Sequence, residues 1–132
     1  MKKIVIALLL LSLCIHTSCI FDSSTEELTH GYELSWIDFK KNQAIYKGEE
    51  QVAGYIYSVG YNSDYIISKQ HPQKKGFYSE PDYSVTNFFI IDIEENEKGY
   101  KQGVIGPLTK EQFESKMSEL GISKKIKFTI ED

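Results

Sequence analysis

Side chains able to do chemistry are few in this chain and widely spaced. Both cysteines, Cys14 and Cys19, lie in "LSLCIHTSCIFDSS", five positions apart beside an apolar run. Such a pair can make a disulfide, bind a metal or mark a processing site. Of the three histidines, His16 lies between the cysteines, His30 follows that region, and His71 stands beside Pro72. Only His71 is placed for hydrolysis, with Asp64 or Glu80 as partner carboxylate. No "GxSxG" elbow is present, so nucleophilic serine chemistry has no signature. The run "DIEENE" (Asp92, Glu94, Glu95, Glu97) lacks the glycine and ligand spacing of a calcium loop and reads as a solvated hairpin tip. The stretch "GVIGPLTKEQ" lacks the "GxxxxGK[ST]" spacing of a phosphate cradle. The expectation is no catalytic residue, no metal and no cofactor.

Binding chemistry is better represented. The stretch "SKQHPQKK" gathers Lys69, His71, Lys74 and Lys75 in an otherwise acidic chain. Such a patch attracts an acidic partner over a distance, although a solvated strand end carries the same pattern. Tyr57 and Tyr65 lie on the adjoining hairpin and join the candidate binding residues; tyrosine suits interfaces and is also a routine strand residue. The fifteen basic residues are all lysine and the net charge is −4. Without arginine forks, and with that charge, the chain is a poor ligand for nucleic acid.

The N-terminus resolves the cysteines. "MKK" precedes "IVIALLLLSLCI" and then "HTSC", which is a basic region, an apolar region and small residues before a cut. The apolar run is shorter than the roughly 20 residues of a membrane span. Thr17 and Ser18 stand directly before Cys19, and this resembles the bacterial lipoprotein signal, with His16 where an aliphatic residue is usual. That resemblance implies that residues 1–18 are a signal peptide and that Cys19 becomes residue one, carrying diacylglycerol and palmitate. Cys14 then leaves with the leader, and the mature domain has no cysteine for a disulfide, zinc or a nucleophile. Residues 19–30 read as the lipidated cysteine and a flexible tether, and 31–132 as a single domain.

Strand signals run through that domain. "GYELSWIDF", "AIYKG", "QVAGYIYSVG", "YIISKQH", "TNFFIIDIEE", "YKQGVI" and "KIKFTIED" are the candidates. "YNSD" supplies a tight turn, and 72–86 reads as a long loop. "ENEKG" reads as a polar turn. Phe88 and Ile90 alternate with Phe89, Ile91 and Ile93, so this strand is expected to be covered on both faces. Trp36 is expected in the core. One helix is well signed over 109–120. Thr109 and Gln112 form a capping box, Leu108 and Phe113 a hydrophobic staple, and Gly121 with Ile122 a Schellman close. The fold class is α+β: an antiparallel meander sheet of about six to seven strands with that C-terminal amphipathic helix packed on it.

The strings "GYELSWID", "DYIISKQHP" and "GPLTKEQFESKMSELGI" together resemble a family of small uncharacterised bacterial lipoproteins, a domain of unknown function. The likeness spans about Gly31 to Ile122 and implies no catalytic residues. It agrees with a lipid anchor at Cys19. The expected function is a non-enzymatic protein-interaction module of the inhibitor or immunity type. It would sit on a bacterial cell or outer membrane, face the periplasm or exterior, and bind a protein partner through a sheet face or the loop at 72–86. The alternatives are a small-ligand-binding lipoprotein and an envelope hydrolase using His71.

Overall fold

The computed structural model describes residues 22–75, 80–99 and 101–131. The leader, Cys14 and Cys19 lie outside the described residues. Two antiparallel sheets form instead of one meander. The first orders β1 (Ser23–Glu27), β2 (Tyr32–Ile37), β3 (Ala44–Lys47) and β4 (Glu50–Ala53) in chain sequence. The second contains β5 (Ile56–Tyr61), β6 (Tyr65–Gln70), β7 (Asn87–Asp92), β8 (Val104–Leu108) and β9 (Ile130–Glu131), in the spatial order β8-β7-β6-β5-β9. A short helix, α1 (Ile93–Glu97), follows β7, and α2 (Lys110–Glu119) follows β8. The fold class is α+β with a C-terminal helix.

The second sheet is the middle layer, and β7 shows why. Ile91 and Ile93 pack with Tyr32, Leu34, Ile45 and Val59 between the sheets. Phe88 and Ile90 pack with Phe113, Met117 and Ile122 under α2. Neighbouring β6 divides likewise, Ile66 to one side and Ile67 to the other. Each face is apolar because each is covered. Thr109 accepts the Gln112 N–H at 3.2 Å, and Gln112 Oε1 accepts the Thr109 N–H at 2.9 Å. Gly121, at φ +69, closes the helix, with the Ile122 N–H donating to the Met117 carbonyl at 2.9 Å.

Five expectations change. Residues 23–27, expected within a flexible tether, form a strand, because Ser23–Glu27 pairs with β2 from Ser23↔Ile37 to Glu27↔Glu33. Its side chains are all exposed, so backbone hydrogen bonds, which a polar composition does not reveal, hold it. The strand "QVAGYIYSVG" breaks into β4 and β5 at Gly54–Tyr55, where Tyr55 takes the left-handed φ of 55. A side chain seldom adopts that conformation, and here it turns the chain from one sheet into the other. "ENEKG" falls largely in α1, because Asp92 Oδ1 caps the Glu95 N–H at 3.1 Å and acidic residues suit a helix N-terminus. In the C-terminal stretch only Ile130–Glu131 pairs as strand; Ile126 instead seals the helix core. Trp36 is half-buried at the end of β2 and belongs to neither core cluster.

The sheets stack with matched ends. At one end Gln43 brackets Ile56: its carbonyl accepts the Ile56 N–H at 2.8 Å, and its Nε2 donates to the Ile56 carbonyl at 3.2 Å. At the other end Tyr32 Oη donates to Asn96 Oδ1 at 2.5 Å. The near end therefore collects Asp22, 38–43, Gly54–Tyr55 and the described parts of 71–86. The far end collects 28–31, 48–49, 62–64 and the described parts of 93–103.

Two substitutions test this packing. A Cβ on Gly60 would stand 2.1 Å from the Lys127 carbonyl oxygen. Gly60→Ala is thus expected to cost about 1–3 kcal/mol in urea unfolding, the usual penalty of overpacking. Ser68 is fully buried and its Oγ has no hydrogen-bond partner among the described residues. Ser68→Ala removes a desolvated hydroxyl, so its melting temperature should match or exceed that of the wild type.

Candidate functional site

His71 lies at the near end, where β6 gives way to the loop. Its N–H donates to the Tyr55 carbonyl at 3.3 Å. Its Nδ1 is 2.9 Å from the Val85 carbonyl oxygen, an acceptor only, so the proton belongs on Nδ1. The ring stacks on Tyr57 with centroids 4.1 Å apart and 8° between planes. Tyr83 meets it edge-on at 5.3 Å, and Tyr57 Oη lies 3.3 Å from Thr86 Oγ1. These contacts tie the 83–86 segment to β5. Neither carboxylate considered for hydrolysis is bonded to His71 among the described residues. Asp64 is in the β5–β6 turn at the far end, where Asn62 Oδ1 accepts its N–H at 2.8 Å. Glu80 Oε1 pairs with Lys41 Nζ.

The rest of the basic cluster is also engaged. Lys69 Nζ is 3.0 Å from Glu131 Oε1 and 4.2 Å from the centre of the Phe128 ring. That hydrogen bond and charge, with a weaker bond from Ser58, hold the Glu131 carboxyl below its ordinary range. Asp82 is lowered too, first by hydrogen bonds from Ser84 and then by the charges of Lys74 and His71. The Lys74 N–H donates to the Glu80 carbonyl at 3.3 Å, and Lys75 is exposed beside it. Tyr57 and Lys69 also line a cleft of about 540 Å³ against Thr86, Pro107 and the Thr109 cap of α2. Tyr65 is set apart at the far end. Burial raises its phenol above the ordinary range, and Asp92, Asp64 and Glu94 raise it further. Lys69, His71, Lys74, Lys75 and Tyr57 thus share one end, and Tyr65 does not.

Sequence reasoning missed a larger feature. The outer face of the first sheet carries a groove of about 840 Å³, lined by Glu33, Trp36, Phe39, Tyr46, Gln51 and Tyr55 among others. Asp38 (φ 67) and Tyr55 (φ 55) both shape it from the left-handed region. Glu33, Asp38 and Glu49 contribute negative charge, and Lys41, which pairs with Glu80, adds the one lysine of its lining. At its near end Ile37 is 64% exposed and Phe39 60% exposed. The motif "WIDFKK" was the available signal: three large apolar residues, Trp36, Ile37 and Phe39, crowded at the end of a strand whose Tyr32 and Leu34 already supply the core.

A family model described as "Protein of unknown function (DUF3997)" matches residues 25–131. The chain belongs to the DUF3997 family. No curated protein and no solved structure matches it. The DUF3997 match opens inside β1 and closes inside β9, so it takes in both sheets, both helices and the groove. Among the described residues no helix is long and apolar enough to cross a membrane, and no group of three or more acidic, His or Cys side chains is arranged to hold a metal.

The Lys69–Glu131 contact sets a pH dependence. Glu131 titrates lower folded than unfolded, so its stabilisation is present above the ordinary carboxylate range and is lost as pH falls through the depressed value. Glu131→Gln is therefore expected to lower the melting temperature at neutral pH. The gap from wild type should close as pH falls through that depressed value, below which the carboxyl is protonated in both states. A gap that is constant with pH would remove the ion pair from the account.

Proposed function

We propose that this chain is a bacterial envelope lipoprotein, cut before Cys19 and held by lipid on that residue. On this reading it faces the periplasm or exterior and acts as a non-enzymatic protein-interaction module of the inhibitor or immunity type. The observation that carries the binding role is the groove on the first sheet. Tyr and Trp offer large contact area at low entropic cost. Trp36, Phe39, Tyr46 and Tyr55 ring a hollow whose unpaired charge is acidic, which suits a basic segment of a partner, Lys or Arg seated against aromatic faces. A binding role is favoured over hydrolysis because neither carboxylate considered as a partner is bonded to His71 among the described residues: Asp64 is in the turn at the far end and Glu80 pairs with Lys41. The anchor is supported by the leader and by the small residues before Cys19.

Two measurements test these parts separately. Intact mass of membrane-extracted protein is expected to show a chain starting at Cys19 plus acyl groups, and an unmodified N-terminus removes the anchor. For the groove, C-terminally tagged protein is captured from native membranes in mild detergent. One partner is expected in near equal amount. Its recovery should fall about tenfold or more with Glu33→Lys and Glu49→Lys together, since like charge at an interface costs several kcal/mol. Recovery that ignores those reversals, or no partner at all, sinks the groove as the binding site.

A further inference from the structure

The lipid anchor proposed above has a geometric consequence. Only Ile20, Phe21 and Asp22 separate Cys19 from β1, so Ser23 stays within ~14 Å of the acylated residue even with the chain fully extended. A headgroup layer is roughly 6 Å thick on each side of a bilayer, which leaves little room to lift the domain clear. The end of the domain nearest that point is fixed by pairing. Ser23 faces Ile37, and the Asp38 N–H donates to the Asp22 carbonyl at 2.8 Å.

That end is unusual for a surface. Of the large apolar side chains exposed among the described residues, Ile37 (64%), Phe39 (60%), Tyr83 (65%) and Val85 (39%) all lie there, and Tyr61 alone lies at the other. Lys40 and Lys41 follow Phe39 in the chain, and the Lys41–Glu80 pair ties the 80–86 segment to this corner. Apolar and aromatic side chains beside lysines are what an interfacial membrane contact uses, rings at headgroup level and ammonium groups on phosphate. Charge points the same way. Lys40, Lys41, Lys74 and Lys75 offset Asp22, Asp38, Glu80 and Asp82 at the near end. The far end holds Glu27, Glu49, Asp64, Glu94, Glu95 and Glu97 against Lys47, Lys98 and Lys101. An anionic leaflet therefore repels the far end and tolerates the near one.

We infer that the near end is a second membrane contact, in which Ile37 and Phe39 rest in the headgroup region of the bilayer that holds Cys19. The inference depends on the lipoprotein reading. The domain lies against the membrane, with the first-sheet groove opening at the bilayer surface and running away from it.

The single tryptophan tests this without a label, since Trp36 adjoins Ile37. The full acylated protein, its mass verified, is placed in phosphatidylglycerol–phosphatidylethanolamine vesicles with or without brominated acyl chains. Trp36 emission is expected to fall about twofold in brominated vesicles, as for a ring held at the interface. The Ile37→Ser/Phe39→Ser variant, altered only at exposed positions, should lose most of that quenching while remaining in the vesicles. Acylated protein whose Trp36 is not quenched overturns the contact and leaves the anchor standing. Quenching undiminished in the variant overturns the part assigned to Ile37 and Phe39. A chain without acyl mass overturns the anchor and the contact together.

Discussion

The architecture turns on one corner, Gly54–Tyr55, where the chain leaves the first sheet for the second. A corner between packed layers must satisfy its backbone groups away from the ladders. Here Gln70 Nε2 donates to the Gly54 carbonyl at 2.8 Å and the His71 N–H to the Tyr55 carbonyl at 3.3 Å. Gln43 holds the next residue, Ile56, through both of its backbone groups. The left-handed conformation of Tyr55 persists because two distant segments, Gln43 and Gln70–His71, hold the backbone on either side of it. With the corner in place, β5 begins against the start of β3, the sheets stack with matched ends, and Val59 and Ile66 meet Leu34 and Ile45. The same corner forms a wall of the groove and positions His71 beside Tyr57.

Local signals were legible in the sequence and tertiary ones were not. The capping box at Thr109, the Schellman close at Gly121 and the Asn62 turn depend on side chains within a few residues of each other, so the string contains their whole cause. The two-faced character of β7 was readable because its apolar residues occupy both parities. The division into two sheets was not. It rests on Tyr55 adopting a conformation that its residue type disfavours, and on partners at Gln43, Gln70 and His71 far away in sequence. β1 was missed for a related reason. "SSTEE" has no apolar side to announce a strand, and its pairing with β2 is made by the backbone ladder and one Thr25–Ser35 hydroxyl contact at 3.0 Å.

The binding residues show the same division. Lysines and a histidine within "SKQHPQKK" drew attention because they are adjacent in sequence. In the fold Lys69 turns to Glu131 and Phe128, and His71 to Tyr57, Tyr83 and Val85. Their charge and rings largely serve to fasten β9 and the 83–86 segment. The groove, in contrast, draws on β2, β3, β4, the 38–42 turn and the corner. No short window contains it. Its residues become conspicuous only once the sheet's inner face is known, because Trp36, Ile37 and Phe39 then remain exposed or half-exposed with the core already filled.

Exposed apolar surface on a small domain calls for a cause, because its hydration is unfavourable and it invites aggregation. At the near end the proposed lipid anchor supplies such a cause, through the place where the chain arrives. A long mobile tether would let the domain turn freely, and no part of it would have a fixed relation to the bilayer. β1 removes that freedom by drawing Ser23 into the sheet beside Ile37. On the proposed lipoprotein reading, the apolar corner and the base of the groove then stay within a short reach of the acylated residue. Carboxylates gathered at the opposite end add a repulsive bias from an anionic surface, weak beyond a Debye length of about 8 Å but acting with the short link. The first strand is thus more than an edge added to a sheet. On the proposed lipoprotein reading it converts an anchor, which sets only a distance, into an attachment that also sets orientation.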